Sequence, residues 1–180
     1  MTQWRTKHGS ESSAGREVAA LLLRAAVGGT MIAHGVKHGR SLPGTAGWFR
    51  SIGFRQSRLQ AQASAVVEIG SGALLVAGAA TPLAAAAVIG TMGVAARSVH
   101  APNGFFITSE GWEYVANLAT AAVALAAIGP GRLSVDRAAG LDRRLTGAKG
   151  AALAAGLGLV GAATQLATFW RDPAARAGRG

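Results

Sequence analysis

Ionisable side chains recur inside or at the ends of the first four of five long apolar stretches. They comprise two arginines, two histidines and two glutamates: Arg24, His34, Glu68, Arg97, His100 and Glu113. Charge in hydrocarbon is costly, so such side chains usually face the interior of a helix bundle and mark a site. Buried opposite charges are tolerated when they compensate each other. The sequence therefore predicts a balanced polar cluster among these helices, with Glu68 paired to Arg24 or Arg97.

The spacing of residues along the predicted helices supports the cluster and adds Asn117 to it. Arg97 and His100 are three residues apart, and Glu113 and Asn117 are four apart, so each pair shares a helix face. Such a cluster could form a pocket for a lipid headgroup, a quinone ring or a small substrate, or it could be a structural polar core that fixes helix packing. No serine, histidine and carboxylate set indicates nucleophilic catalysis, so no catalytic residue is assigned and the chain is not expected to be an enzyme alone.

Three other chemical signals are weaker. His34 and His100 could clamp a haem between two helices, but one sequence gives this little support and haem is not expected. His34 with His38 could bind a metal beside a carboxylate; because His38 is expected among the headgroups, no metal is expected either. The glycines of 156–161 match a dinucleotide-binding fingerprint, but no strand precedes them, so they are interpreted as packing glycines. The chain contains no cysteine, which leaves any redox chemistry to a bound cofactor or a partner.

The elements that must position these residues are apolar helices. Hydrophobic residues make up 50% of the 180-residue chain and charged residues only 14%, against about 25% charged in soluble domains. Each apolar stretch approaches the ~20 residues that cross a bilayer as a helix. The stretches are 18–34, 62–80, 82–99, 112–129 and 150–170. The predicted fold is all-α, a transmembrane four-helix antiparallel bundle with a fifth C-terminal transmembrane helix.

Alternating helix direction brings the polar residues to one side of the membrane. The first and third helices end at His34 and near His100, whereas the second and fourth begin just before Glu68 and at Glu113. In an up-down bundle, the ends of the first and third helices and the starts of the second and fourth lie on the same side of the membrane, whichever way the bundle is oriented. At ~1.5 Å per residue, Arg24 is expected roughly 15 Å inside that surface.

Residue composition divides the chain into four parts. Residues 1–16 are expected to be a mobile polar tail, 17–137 the four-helix domain, 138–170 a linker with the fifth helix, and 171–180 a second polar tail. Within the domain, 41–60 carries aromatic and basic residues typical of an interfacial segment, with a turn at Pro43-Gly44. Positive charges on the two sides balance, so orientation stays open.

The net charge of +10 is explained by contact with anionic lipid headgroups. The basic residues lie between hydrophobic segments rather than on one soluble face, which speaks against nucleic acid as a partner.

Six motifs in order resemble the DoxX family of small bacterial integral membrane proteins over residues 18–137. They are Ala33-His34-Gly35, Gly44-Thr45-Ala46-Gly47-Trp48-Phe49, Val67-Glu68-Ile69-Gly70, His100-Ala-Pro-Asn-Gly-Phe-Phe106, Gly111-Trp-Glu113-Tyr and Gly129-Pro-Gly-Arg-Leu-Ser-Val-Asp136. The family's charged positions fall on His34, Glu68, His100 and Glu113. The fifth helix and both tails lie outside the family's four-helix core.

The resemblance implies a multi-pass protein of the bacterial inner (plasma) membrane, with its N-terminus in the cytoplasm. Family members take part in quinone-linked thiosulfate oxidation and oxidative-stress defence, and more distant ones are membrane chaperones. The expected function is a membrane subunit of a redox or oxidative-stress complex that binds quinone or a lipid headgroup in its polar pocket, without a covalent cofactor. The alternative is a scaffold or assembly factor that packs against partner membrane proteins through small-residue faces at Gly28-Gly29, Gly70-x-Gly72 and Gly90-x-x-Gly93. A small-solute transporter is a third, less favoured reading because no inverted repeat is visible.

Overall fold

The computed structural model describes residues 2–142 and 144–173, with side chains from Ser13 onward, and this part of the chain is all-α. Its helices are α1 Thr2–Arg40, α2 Leu42–Ser51, α3 Ser57–Ala77, α4 Thr81–Ala95, α5 Glu113–Ile128, α6 Val135–Ala138 and α7 Gly147–Phe169. A π-helical turn, Ala96–His100, continues α4 and passes into a 3₁₀ turn, Ala101–Asn103. The predicted all-α bundle is confirmed.

Four of the described helices are long and apolar enough to cross a membrane. They are Ser13–Arg40, Ser57–Ala77, Thr81–Asn103 and Gly147–Phe169. The remaining predicted span, α5, has 16 residues and a length of about 24 Å, less than the ~30 Å of bilayer hydrocarbon. Large apolar side chains such as Leu22, Val66 and Val160 are exposed on the outer faces. A bilayer is the environment in which those faces are not exposed to water.

Glycines set the close approach of the helix pairs α1–α3 and α4–α7. A Cβ on Gly28 would lie 2.7 Å from the carbonyl oxygen of Gly72, and one on Gly90 would lie 3.3 Å from that of Gly158. All three small-residue faces that the sequence assigned to partner proteins are therefore used, at least in part, within the chain's own bundle. Of the glycines of 156–161, Gly158 is a packing glycine, whereas an added Cβ on Gly156 or Gly161 would meet nothing within 4 Å. Helix α7 packs on α4 and α5.

Two boundaries differ from the sequence-based expectation. Residues 2–16, expected to form a tail, are helical and belong to α1, because the chain has no proline before Pro43 to end a helix. Pro43 lies in the first turn of α2 rather than in a turn, where its missing N–H costs nothing and its fixed φ suits the helix. The interfacial segment is thus a short helix. The predicted tail 171–180 lies mostly outside the described residues.

The last turn of α7 is tied to the loop between α2 and α3. The Arg55 N–H donates to the Phe169 carbonyl at 2.8 Å, and the Arg171 N–H donates to Gly53 at 3.0 Å. The Trp170 indole N–H donates to the Ile52 carbonyl at 2.8 Å. In addition, Gln165 of α7 donates to Gln60 of α3 at 2.9 Å. These bonds fix the end of α7 against the DoxX-like part of the chain.

Candidate functional site

A cavity of about 560 Å³ lies at the end of the bundle where α1 and α4 end and α3 and α5 begin. Its polar and aromatic lining comprises His34, Lys37, His38, Trp48, Glu68, His100, Glu110 and Tyr114. Three predicted site residues, His34, Glu68 and His100, are therefore brought together as expected. The alternating topology places them there because each lies near the same end of its helix.

Glu68 is the most buried charged residue of this cavity, with 3% of its surface exposed. Its Oε1 accepts a 2.5 Å hydrogen bond from the Ser64 hydroxyl, one turn earlier on α3. Its Oε2 lies 3.2 Å from Nδ1 of His38, yet has no hydrogen bond of good geometry. Nδ1 of His38 also lies 3.1 Å from the Ser64 hydroxyl oxygen, so Ser64 competes for it. One carboxylate oxygen therefore keeps unused accepting capacity inside the cavity.

A row of rings lines the cavity from α5 across α1 to α2. The His34 ring stacks on Tyr114 with centroids 6.4 Å apart, and His38 lies 6.5 Å from His34. The row continues from His38 to Trp48 at 6.2 Å, and beyond the cavity Trp48 contacts Phe49 at 5.3 Å. Flat, polarisable faces beside a buried carboxylate suit a planar ring or an organic cation.

His100 and Glu113 shape the α4–α5 connection. Nδ1 of His100 lies 2.6 Å from the Glu110 carbonyl oxygen, so that nitrogen carries the hydrogen. The Glu113 carboxylate accepts the Ile107 N–H at 3.0 Å. Glu113 lies at the same end of the bundle as the cavity, as predicted, but does not line it.

Arg24 belongs to the opposite end of the bundle, which corrects its predicted pairing with Glu68. It is buried, and its guanidinium donates to the carbonyls of Leu75, Val76, Pro130 and Leu133 at 2.6–3.1 Å. The Val76 carbonyl is among those that α3 leaves unpaired at its C-terminus, whereas the Leu75 carbonyl also accepts the Gly78 N–H at 3.0 Å. A guanidinium has several N–H donors in a fixed geometry, so it can bond these carbonyls at the same time.

Asp136 is the acidic counterpart of Arg24, and the sequence-based cluster did not include it. Its carboxylate accepts the N–H groups of Ala80 and Thr81 at 2.7 and 2.9 Å and the Thr81 hydroxyl at 2.8 Å. It therefore caps the N-terminus of α4, where an anion is favourable. Together Arg24 and Asp136 hold both sides of the α3–α4 turn, so this pair is structural.

Arg97 and Asn117 also lie outside the polar cluster. Arg97 forms a 3.4 Å ion pair with Asp172 and its guanidinium lies 4.5 Å from the centroid of the Trp170 ring, so it contacts the end of α7 instead of Glu68. Asn117 is exposed on α5. Because Ala96–His100 is a π-helical turn, the α-helical spacing of Arg97 and His100 could not show which neighbour each one contacts.

His38 replaces the predicted arginines as the partner of Glu68. The sequence placed it among the headgroups, but α1 continues to Arg40, which keeps His38 within the bundle and 20% exposed. Its spacing of four residues from His34 already indicated that the two histidines share a face of α1. On the other side of this pair, His38 and Glu68 line a second, smaller cavity of about 120 Å³ together with Phe49 and Phe54.

Among the described residues, no three His, Cys, Asp or Glu side chains are grouped so as to hold a metal ion.

The bundle, its outward apolar faces and the polar cavity at one end define a multi-pass α-helical membrane protein. The DoxX family model matches residues 19–101, from the first turns of the membrane part of α1 to the end of α4. Residues 19–101 of this chain therefore form a DoxX domain; this stretch contains the first three of the six motifs in full, and the last two motifs lie beyond it. No curated protein matches the chain. No solved structure matches it either.

Proposed function

We propose that this chain is the membrane subunit of a redox or oxidative-stress system and that the cavity binds the ring of a quinone. The observation that carries this proposal is Glu68, a buried carboxylate with a free acceptor position beside a row of rings at one end of a membrane bundle. Quinone rings reach that depth in a bilayer, while their apolar tails remain among acyl chains.

Different residues of the cavity would contact different parts of such a ring. His34 and Tyr114 stack at 6.4 Å and supply a face against which a ring can lie. The half-buried His38 lies at hydrogen-bond distance from Ser64 and beside Glu68, so it can orient the ring and pass a proton to or from it. Because the chain has no cysteine, a partner protein supplies or accepts the electrons.

The test is the quinone content of protein purified in mild detergent, measured by chromatography of its lipid extract. We expect quinone enriched over the bulk membrane lipid in the wild type and lost in Glu68→Gln, which keeps the side-chain shape. Glu113→Gln is the matched control because Glu113 caps a loop at the same end without lining the cavity, and it should retain quinone. No enrichment, together with unchanged quinone reduction in a deletion strain, would overturn the proposal.

The alternative, a scaffold whose polar residues only hold the bundle together, makes the opposite prediction. Its support is the open glycine positions Gly29 and Gly70, where an added Cβ would meet nothing within 4 Å, since these leave smooth surfaces for another helix. Crosslinking in native membranes discriminates: a membrane-protein partner captured through these positions, with Glu68→Gln behaving as wild type, would favour the scaffold.

A further inference from the structure

We infer that the same cavity is a binding site for a monovalent organic cation, an ammonium group carried on an apolar body. This inference does not require the quinone proposal. It starts from the charge balance around Glu68. Among the described residues, the carboxylate has no lysine or arginine within ion-pair distance, and its only ionisable neighbour is His38 at 3.2 Å.

A buried carboxylate without a permanent cation is incompletely compensated. The cost of removing a carboxylate from water is several kcal/mol unless charge or hydrogen bonds replace the lost hydration. Ser64 satisfies Oε1, but Oε2 has no hydrogen-bond donor in the described structure. The arginines that could have compensated it, Arg24 and Arg97, instead contact the far end of the bundle and Asp172. The position left open is therefore one that favours positive charge.

The aromatic lining favours a cation of low hydration. Trp48 and Tyr114 both line the cavity with Glu68, and cations held within about 6 Å of such rings gain about 0.5–2 kcal/mol. A strongly hydrated metal ion would need several oxygen ligands instead. Substituted ammonium groups use both features at once, since the ring faces replace water and the carboxylate supplies the charge.

The other charges of the lining agree with a single positive charge. Lys37 and Glu110 line the cavity as well, and both are exposed, in contrast to Glu68. Lys37 and Glu110 carry opposite formal charges, so together with the buried Glu68 the lysine and carboxylate side chains of the lining sum to one negative charge. The cavity of about 560 Å³ has space for a head group with an aromatic or short aliphatic body.

The experiment measures binding of benzyltrimethylammonium to the full chain by isothermal titration calorimetry in nanodiscs of phosphatidylglycerol. We expect saturable one-to-one binding, weakened about 30-fold or more by Glu68→Gln, as is typical when one partner of a buried charge pair is removed. Trp48→Leu should weaken binding about three-fold, and Glu113→Gln should leave it unchanged. Neopentylbenzene, the uncharged isostere of the probe, should not compete.

Two results would overturn the inference: no saturable binding to folded wild-type protein, or equal binding by Glu68→Gln. Competition by neopentylbenzene would also count against it, because it would mean that shape rather than charge is recognised. Quinone content measured in the same preparations separates the two proposals, since a protein that retains quinone and ignores the cation refutes only this one.

Nanodiscs that also contain phosphatidylethanolamine identify the source of the ammonium group. Weaker apparent binding of the probe in them, with phosphatidylglycerol discs as reference, would mean that a lipid amine competes for Glu68. Unchanged binding would mean that the site takes a soluble cation. Either result supports a cation site.

Discussion

Arg24 and Glu68 both carry buried ionic side chains, but the free-energy cost of burying each charge is offset by different contacts. Arg24 is compensated by four carbonyl oxygens from the end of α3 and from the 130–133 segment. Among the described residues, those that compensate Glu68 are Ser64 and the adjacent His38. Fully satisfied polar groups stabilise a fold, whereas an incompletely satisfied one indicates a site.

Replacing Arg24 by methionine should strongly destabilise the protein. The substitution keeps an apolar stem of similar length but leaves the carbonyls of Val76, Pro130 and Leu133 without the donor that Arg24 supplies. Since each unsatisfied buried group costs about 1–3 kcal/mol, we expect a loss of about 3 kcal/mol in the free energy of unfolding, measured by denaturant titration in detergent micelles.

Arg97→Met provides the control for Arg24, because the Arg97 side chain is 51% exposed. Its loss should cost well under half as much as that of Arg24. Equal effects of the two substitutions would show that Arg24 has no special role in holding the α3–α4 turn.

At the scale of elements, α7 is the helix whose role was hardest to predict. Its composition predicted a transmembrane helix, and α7, Gly147–Phe169, is long and apolar enough to be one. Its packing partner could not be read from the sequence, because its glycines allow close approach to any smooth surface. The structure uses Gly158 against Ile89 of α4 and ties the end of α7 to Gly53.

Gly158→Leu should separate α7 from α4, because a Cβ at this position would lie 2.7 Å from Cβ of Ile89 and 2.8 Å from the Ala86 carbonyl oxygen. We expect a loss of about 2–3 kcal/mol of stability, in the range of overpacking in a core. The measurement is the midpoint of thermal unfolding in detergent. Gly156→Leu, two residues away with nothing within 4 Å of an added Cβ, should unfold like the wild type; a similar drop there would contradict this role of Gly158.

Helix content was largely predictable from the sequence, and contacts were not. Apolar runs and the Thr81-Pro82 start of α4 gave the helices because burial in lipid and helix capping are local properties. The alternation of helices also brought His34, Glu68 and His100 to one end. The partner of Glu68 was predicted wrongly for two reasons. Arg24 lies too far along α1, beside the C-terminus of α3, and the rotation of α1 and α4 about their axes decides whether His38 or Arg97 faces Glu68. Rotation follows from glycine contacts such as Gly28 with Gly72, which no single-sequence pattern specifies.

For the whole molecule, the topology predicts that two exposed segments lie on opposite sides of the membrane. Thr108 precedes α5 and Ala139 follows it, and both are exposed. The chain has no cysteine, so Thr108→Cys and Ala139→Cys each introduce one unique label site. With a membrane-impermeant maleimide on intact spheroplasts, we expect one of the two variants to be labelled and the other only after lysis. Labelling of both from outside would contradict the alternation, and the labelled one gives the orientation that balanced charges leave open.

The packing between the two ends of the bundle decides from which side of the membrane the cavity can be reached. Met31 lies at the cavity floor, and beneath it Leu75, Val88 and Leu125 are at most 1% exposed, down to the level at which Arg24 and Asp136 hold the turn. A ligand bound in the cavity, as proposed above, would then exchange with one leaflet only. The site would serve one compartment rather than connect two, so a change in the other compartment would reach it only through a partner protein or a change of the bundle itself.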